Sequence, residues 1–492
     1  MSLKRIDGKR TKIVATIGPT SSDEHILRQI IRRGMNVARI NFSHGDHETH
    51  GRNIDNIRRI AEEEGAVVAV MCDLQGPKIR IGKVKNEPLM LKQGDRLLLT
   101  LDPTDDNEDP YTITLPHPEF VRDIEAGMQL LLDDGNLEFV VREVTGRTLA
   151  CEVVIGGALM SRKGVSAPGA KLTLSAITEK DREDVEFALK KEADYVAMSF
   201  VRSEEDIREL KWLIRHLGNG SDPAIVAKIE KREALENIES IIAASDGVMV
   251  ARGDLGVETP AEEVPVHQKR IIHLCNVASK PVITATQMLN SMVDNPRPTR
   301  AEASDVYNAI MDGTDAVMLS NETASGGYPI EAVETMANIA VTAEKNLMSS
   351  RQADRALYRP NMSENREVIS DAIGQATSQI AEILNCEAIV TSSLTGYTTR
   401  RVAKERPRTP ILCVTPSPVT YKRMALVWGV IPIMIPQFNT IDEMISVVVS
   451  TAHNEGLIKR GDNIVIIAGV PFGIGGQTNF LKIHMVGESG EI

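Results

Sequence analysis

Aromatic residues are scarce, 3% of 492 positions with two tryptophans, which leaves few platforms for stacking bases. Basic residues are outnumbered by acidic ones, 56 to 68, and the resulting net charge of −12 repels a phosphate polymer. Both features argue against a nucleic-acid partner. No apolar run approaches the roughly 18 residues that cross a bilayer, and the first ten residues are polar with no hydrophobic leader region. A soluble, cytoplasmic protein with no membrane partner is expected. The cysteines are only five (Cys72, Cys151, Cys275, Cys386, Cys413), odd in number, scattered and never paired as C-x-x-C. That argues against a disulfide framework and a zinc knuckle; each lies in or beside an apolar stretch, where it reads as core filler. His44, His47 and His50 recur at every third position, but that spacing at a helix start rotates them apart, against a zinc site. What is present is an ordinary globular balance, 42% hydrophobic and 25% charged, over a length that suits about three domains.

The order of apolar runs is informative. KIVATI at 12–17, VARINF at 37–42 and VVAVMCDL at 67–74 read as strands followed by helical patterns, the first helix capped around Ser22-Asp23-Glu24 and ending by Gly34. After an interruption the rhythm resumes with strands at 195–201, 224–230, 247–255, 281–288 and 316–322, and a capping box, Thr299-x-x-Glu302, opens one of the helices between them. Eight near-continuous apolar strands alternating with amphipathic helices imply a parallel sheet covered by helices, either a closed (β/α)8 TIM barrel or an open doubly wound sheet. The interruption, about 75 to 171, has short alternating runs and an Asp134-Gly135 hairpin signal, as a small inserted β domain would. After a polar stretch with Pro360, four further strand patterns (AIVTS, ILCVTPS, VIPIMI, NIVIIAGV) imply a C-terminal α/β domain. The expected division is a discontinuous catalytic barrel at 1–74 and 175–350, an inserted β-barrel lid at 75–174, a linker at 351–365 and a C-terminal regulatory domain at 366–492.

In a closed barrel the polar residues at the C-terminal ends of the strands mark the site. Here they are Arg39, Asn41 and Ser43 after strand two, Asp73 after three, Lys228 and Glu230 after five, Arg252 and Asp254 after six, Thr284 and Thr286 after seven, and Ser320 and Glu322 after eight. Unpartnered charges cost several kcal/mol each, roughly, inside a barrel, so two carboxylates facing two cations read as a site for a metal and an anion. Glu230 and Asp254 suit Mg²⁺, with Mn²⁺ as a substitute, and Arg39 and Lys228 suit the anion. This is equipment for phosphoryl transfer.

The runs IVAKIEKREAL at 225–235, TKIVATIGP at 11–19, MNVARINFSHG at 35–45, VMVARGDLGVE at 248–258, ITATQML at 283–289 and NPRPTRAE at 295–302 resemble the motifs of the pyruvate kinase family. The resemblance covers essentially the whole chain, lid included. It implies phosphoryl transfer from phosphoenolpyruvate to ADP, then protonation of enolpyruvate to pyruvate, with release of ATP, in a glycolytic homotetramer. It implies Lys228 at the transferring phosphoryl group, Glu230 and Asp254 on Mg²⁺, Arg39 on the substrate phosphate, and Gly253, Asp254 and Thr286 at the carboxylate end. Asn41, Ser43, Asp73 and the Leu74 carbonyl are implied as a monovalent-cation site. Asn41, His44, Arg80 and Lys163 are implied at the nucleotide, and a water near Thr286, relayed by Ser320 and Glu322, as proton donor.

The stretch Thr391, Ser392, Ser393, Thr395, Thr398, Thr399 reads either as a plain capped loop or as a cradle for a phosphorylated allosteric effector, and the resemblance favours the effector. GVPFGIGG at 469–476 lacks the G-x-G-x-x-G spacing of a dinucleotide site. Two departures from the family pattern stand out. Asn321 replaces the usual glycine after Ser320, and Lys78 follows Gly76-Pro77 where K⁺-dependent members carry glutamate. An ammonium tethered there would serve in place of K⁺, so K⁺ is not expected to be required. The rival readings are a Mg²⁺-dependent lyase or mutase acting on pyruvate enolates, which needs no nucleotide, and a silent sugar-phosphate sensor.

Overall fold

The computed structural model describes residues 8–103, 109–218, 220–354, 365–472 and 477–488. Eight parallel strands, Lys12–Thr16, Val37–Asn41, Ala69–Asp73, Tyr195–Met198, Ala224–Ile229, Gly247–Ala251, Val282–Ala285 and Ala316–Leu319, form a closed barrel. The first strand pairs with both the second and the eighth, so the ring is complete and an open sheet is excluded. Alternation sorts the side chains into two cores. Ile13, Ala15, Ile40, Val70 and Cys72 turn outward, packing with helix residues such as Leu27, Ile30, Ile54 and Ile57. Val14, Val37, Met71, Ala197, Val226 and Met249 fill the interior.

Local signals account for the helices. The Asp23 carboxylate accepts from the amides of His25 and Ile26 at 3.0 and 3.1 Å, starting the helix Glu24–Arg32. The capping box between Thr299 and Glu302 forms and opens the helix Arg300–Met311. All five cysteines are buried and unpaired.

The strands stop earlier than their apolar runs suggest. The sixth ends at Ala251 and Arg252 already begins the helix Arg252–Glu258, so Arg252 and Asp254 sit on a helical turn and not along a strand. The seventh ends at Ala285, where Thr286 and Gln287 take left-handed conformations (φ 68° and 53°).

Between the third and fourth barrel strands lies a small β domain. It comprises a six-stranded sheet and a two-stranded ribbon, Leu89–Leu91 with Gly157–Leu159. Its own core includes Leu97, Leu99, Phe120, Phe139 and Val141. At the hairpin between Gln129–Leu132 and Leu137–Thr145, Asp133, Asp134 and Gly135 are all left-handed, which Asp and Gly tolerate best.

The helix Pro329–Asp354 runs past the end of the barrel and the next begins at Asn365; the remainder of the expected linker lies outside the described residues. The C-terminal sheet has the order Val430–Met434, Ile411–Thr415, Ala388–Ser392, Asn463–Ala468, Phe480–Met485. Its antiparallel edge strand, Phe480–Met485, was not among the expected strand patterns.

The C-terminal domain closes the barrel floor. Ala425 and Leu426 pack into the interior cluster. The Arg406 guanidinium donates to Asp315 and to Asn276 Oδ1, both at 3.0 Å, and lies 5.0 Å over the Trp428 ring. Asp315 in turn accepts from the Val282 amide at 3.1 Å, so one buried carboxylate joins barrel strand and C-terminal domain. Removing one partner of such a pair strands the other charge. Arg406→Ala should therefore cost about 3–5 kcal/mol, read as a fall in the apparent melting temperature, and Arg406→Met with Asp315→Leu should recover part of the loss. Unchanged melting of Arg406→Ala would contradict this account of the domain junction.

Candidate active site

The inward parity of the strands places Thr16, Arg39, Asp73 and Lys228 in the last layer before the mouth, with Ser199 and Glu230 just beyond their strands. Asp73, fully buried, is their centre. Arg39 Nε donates to its Oδ2 at 2.6 Å, and Lys228 Nζ lies 3.3 Å from its Oδ1. Arg39 also donates to Thr16 Oγ1 at 2.9 Å. Lys228 Nζ reaches Glu230 Oε1 at 2.9 Å and Ser199 Oγ at 2.5 Å. Glu230 Oε2 accepts the Phe200 amide at 2.7 Å, from a bulky residue held at φ 55°. Such a conformation is costly for phenylalanine and aims its N–H at the carboxylate.

The charges are set by their neighbours. Burial works against the Lys228 ammonium, but Asp73 and Glu230 more than offset it and hold its pKa above the ordinary value. Burial likewise opposes the Asp73 carboxylate, and Lys228 and Arg39 overcome it and hold its pKa low. At Glu230 burial prevails over Lys228, and repulsion from Asp254 adds to it, so this pKa is raised. Asp254 itself has no hydrogen bond or cation partner among the described residues. Two close carboxylates, one destabilised and one unpaired, match the donors a hard divalent cation takes. Among the described residues no three His, Cys, Asp or Glu converge on a metal. A divalent ion held by Glu230 and Asp254 would therefore have to take its remaining donors from water and substrate.

Thr286 is brought to Asp254 by its left-handed turn: its Oγ1 accepts the Gly253 amide at 2.8 Å and donates to the Ala285 carbonyl at 2.7 Å. The other expected residues after strands six to eight do not converge here. Arg252 is a clamp, bonded to Asp305 at 2.8 Å and to the Thr286 carbonyl at 2.8 Å. Thr284 has outward parity and bonds Thr314 Oγ1 at 3.0 Å. Glu322, buried, has one oxygen on the Leu289 amide (3.1 Å) and the other on the Ser320 amide (2.7 Å).

Asn41 pairs in register with Asp73, and its Oδ1 accepts the Ser43 amide at 3.2 Å. The Leu74 carbonyl accepts from Ser199 Oγ at 2.7 Å. Lys78 is not among these oxygens: it lines the cleft between barrel and lid, its stem against Gly164, and Asp73 pairs with Arg39 and Lys228 instead. On the lid, Arg80 donates to the Arg162 carbonyl at 3.0 Å and Lys163 pairs with Asp133 at 2.6 Å. The three histidines go separate ways. His44 is exposed; His47 bonds Asp184 at 2.7 Å, and His50 Nε2 bonds the His44 carbonyl at 2.8 Å.

In the C-terminal domain a cavity of about 390 Å³ is lined by Ser392, Ser393, Thr395, Thr398 and Gln477, among others. Thr391 and Thr399 lie elsewhere, bonded to each other at 2.8 Å in the core. Gly469, Pro471 and Phe472 of the glycine-rich run also line this cavity; residues 473–476 lie outside the described residues.

Sequence reading missed Ser199, Thr16 and Asp181. Ser199 shares the parity of Tyr195 and Ala197, and Thr16 that of Val14, so extending the inward alternation by one step finds both. Asp181 gave no such signal: it accepts the Gly76 amide at 3.0 Å and the Thr178 amide at 2.9 Å, tying the two crossings to the lid together.

Residues 8–333 match the model of the pyruvate kinase barrel domain and residues 371–484 that of the pyruvate kinase alpha/beta domain. The chain is 47% identical over 482 residues to a pyruvate kinase of Geobacillus stearothermophilus, covering 98% of this chain and 81% of the relative. It is 46% identical over 478 residues to one of Clostridium perfringens, with 97% and 100% covered. A crystal structure of a pyruvate kinase from Cryptosporidium parvum aligns with a TM-score of 0.87 at 36% identity, over 97% of this chain and 96% of that one. Matched over both domains and along nearly its whole length, the chain belongs to the pyruvate kinase family, phosphotransferases that make pyruvate and ATP from phosphoenolpyruvate and ADP.

Proposed function

We propose that this transfer takes place over the Arg39–Asp73–Lys228–Glu230 ring, and that the lid at 75–174 covers it. The observation that carries the reading is the Lys228 ammonium, fixed between two carboxylates beside the unpaired Asp254. Lys228 offsets charge on the transferring phosphoryl oxygens, where electrostatic help counts most in the transition state. Arg39 binds the substrate phosphate, while the Gly253 amide and Thr286 hold the carboxylate end. Pyruvate kinases use Mg²⁺ together with K⁺. Glu230 and Asp254 would hold Mg²⁺ or Mn²⁺, which would supply positive charge beside the substrate oxygens. Asn41, His44, Arg80 and Lys163 receive the nucleotide. Both oxygens of Glu322 are engaged by backbone amides, so Glu322 orients the loops after strands seven and eight and proton delivery to enolpyruvate falls to water beside Thr286.

Assembly as a cytoplasmic homotetramer is supported by apolar surface on the C-terminal domain: Ile369 and Ile383 are exposed on one helix, and Ile483 and Met485 on the edge strand. Among the described residues no helix is long and apolar enough to cross a membrane. The cavity at Ser392 and Ser393 is proposed as the effector site. Its described lining has no lysine or arginine, so a phosphorylated effector would be held by hydroxyls, amides and backbone N–H groups.

Lys228→Met is expected to lower kcat about 10²-fold or more with little change in KM, measured by coupled pyruvate release; a folded variant with near-normal kcat would remove Lys228 from this role. Ser392→Ala with Ser393→Ala should abolish activation by sugar phosphates or AMP, read as the ratio of rates with and without them; a full response would place the effector elsewhere. For the cation, Lys78 lines the cleft between barrel and lid, and K⁺ independence requires its ammonium to reach the oxygens at Asn41, Ser43, Asp73 and Leu74. Turnover in K⁺-free buffer, with tetramethylammonium holding ionic strength, should persist in the natural protein and collapse in Lys78→Glu. Collapse of the natural protein's own rate without K⁺ would end the idea.

A further inference from the structure

Strands one, two, three and five present Thr16, Arg39, Asp73 and Lys228 to the site, and just beyond the fourth stands Ser199. Its side chain is buried at 3% exposure, and its Oγ has two polar contacts, Lys228 Nζ at 2.5 Å and the Leu74 carbonyl at 2.7 Å. A hydroxyl has one proton. The Leu74 carbonyl can only accept, so that proton is spent there and the oxygen lone pairs are turned to the ammonium, which can only donate. The direction of both hydrogen bonds is therefore fixed by chemistry alone.

Lys228 makes one hydrogen bond, to Ser199 Oγ, and two ion pairs, with Asp73 at 3.3 Å and Glu230 at 2.9 Å. The first partner is neutral and the other two are charged. A phosphoryl oxygen approaching Lys228 competes with the two carboxylates for its charge, and Ser199 is the contact that an anion has least cause to displace. It is also the one tied to rigid backbone, at the end of strand three.

We propose that Ser199 is a positioning residue for phosphoryl transfer: by accepting from Lys228 while donating to the Leu74 carbonyl, its hydroxyl holds the ammonium in register with the substrate as the other two contacts are exchanged. This rests on the reading of Lys228 given above. The contribution is made to the direction of the ammonium and not to substrate binding, so it belongs in kcat.

The experiment is a cycle of Ser199→Ala, Lys228→Met and the double variant, with Ser199→Thr as the hydroxyl-preserving control. Pyruvate release is followed under saturating Mg²⁺ and K⁺, phosphoenolpyruvate binding is measured by calorimetry without ADP, and thermal melting is recorded for each. Ser199→Ala should lose about tenfold or more in kcat while KM and calorimetric affinity stay within about twofold. Ser199→Thr should recover most of the rate. In the Lys228→Met background, Ser199→Ala should change the residual rate by less than about twofold, since residues acting as a unit are non-additive. A normal kcat in Ser199→Ala would overturn the proposal. So would a loss shared by affinity and melting, which marks a purely structural role, or a loss undiminished in the Lys228→Met background. If Lys228→Met alone kept near-normal turnover, the assignment of Lys228 would fail first, and that result is separate from all the others.

Discussion

A carboxylate with no access to water needs cations, and at the mouth of this barrel Asp73 is such a carboxylate. Its two oxygens take Arg39 from the neighbouring second strand and Lys228 from the fifth, two strands away, at 2.6 and 3.3 Å. Burying an ion costs several kcal/mol, roughly, unless it is paired, so the position of Asp73 dictates that both cations point inward. Those cations, drawn in and held, are the ones proposed to meet the anionic substrate. Lys228 is shared with Glu230, and Glu230 is crowded by Asp254. The site thus has a cationic side already satisfied by protein and an anionic side left one cation short. A metal and a phosphorylated substrate bound there, as proposed, would correct both conditions at once.

Alternation made much of this legible from residues alone. A strand interior that reads apolar and then ends in Arg, Asp or Lys at the same parity announces a charged layer, and Arg39, Asp73 and Lys228 occupy it. The motif resemblance carried the family over the whole chain. What alternation could not supply is where extended chain stops. Thr284 and Thr286 share a parity, yet Thr284 faces outward to Thr314, and Thr286 enters the site only because its backbone turns left-handed after Ala285. Arg252 and Asp254 likewise sit on a helix, where Arg252 braces the Thr286 carbonyl and Asp254 has no hydrogen-bond partner among the described residues. Thr391 and Thr399 failed to join the cavity residues for a related reason: two hydroxyls in one polar run satisfy each other in the core as readily as they face a ligand.

The floor of the barrel repeats the logic of its mouth with opposite consequence. Asp315 is buried and bonded to Arg406, as Asp73 is to Arg39, but here the remaining contacts are backbone and Asn276, and the Trp428 ring covers the guanidinium. These contacts join the C-terminal domain to strands seven and eight, and Ala425 and Leu426 complete the hydrophobic interior from below. The same kind of ion pair is therefore a site at one end of the barrel and a joint at the other, and the difference lies in whether any charge remains uncompensated.

The lid is attached with equal economy. Gly76 is left-handed at φ 67°, and a Cβ there would lie 2.9 Å from the Phe200 ring, so the exit crossing tolerates only glycine. Its amide bonds one oxygen of Asp181, whose other oxygen takes Thr178 on the return crossing. Arg202 grips the carbonyls of Leu172 and Leu174 close by, at 2.8 and 2.9 Å. Both crossings thus meet at one carboxylate, next to the Phe200 amide that holds Glu230. Because Phe200 lies against Gly76 and bonds Glu230, the exit crossing of the inserted domain and the carboxylate proposed to hold the metal share one residue.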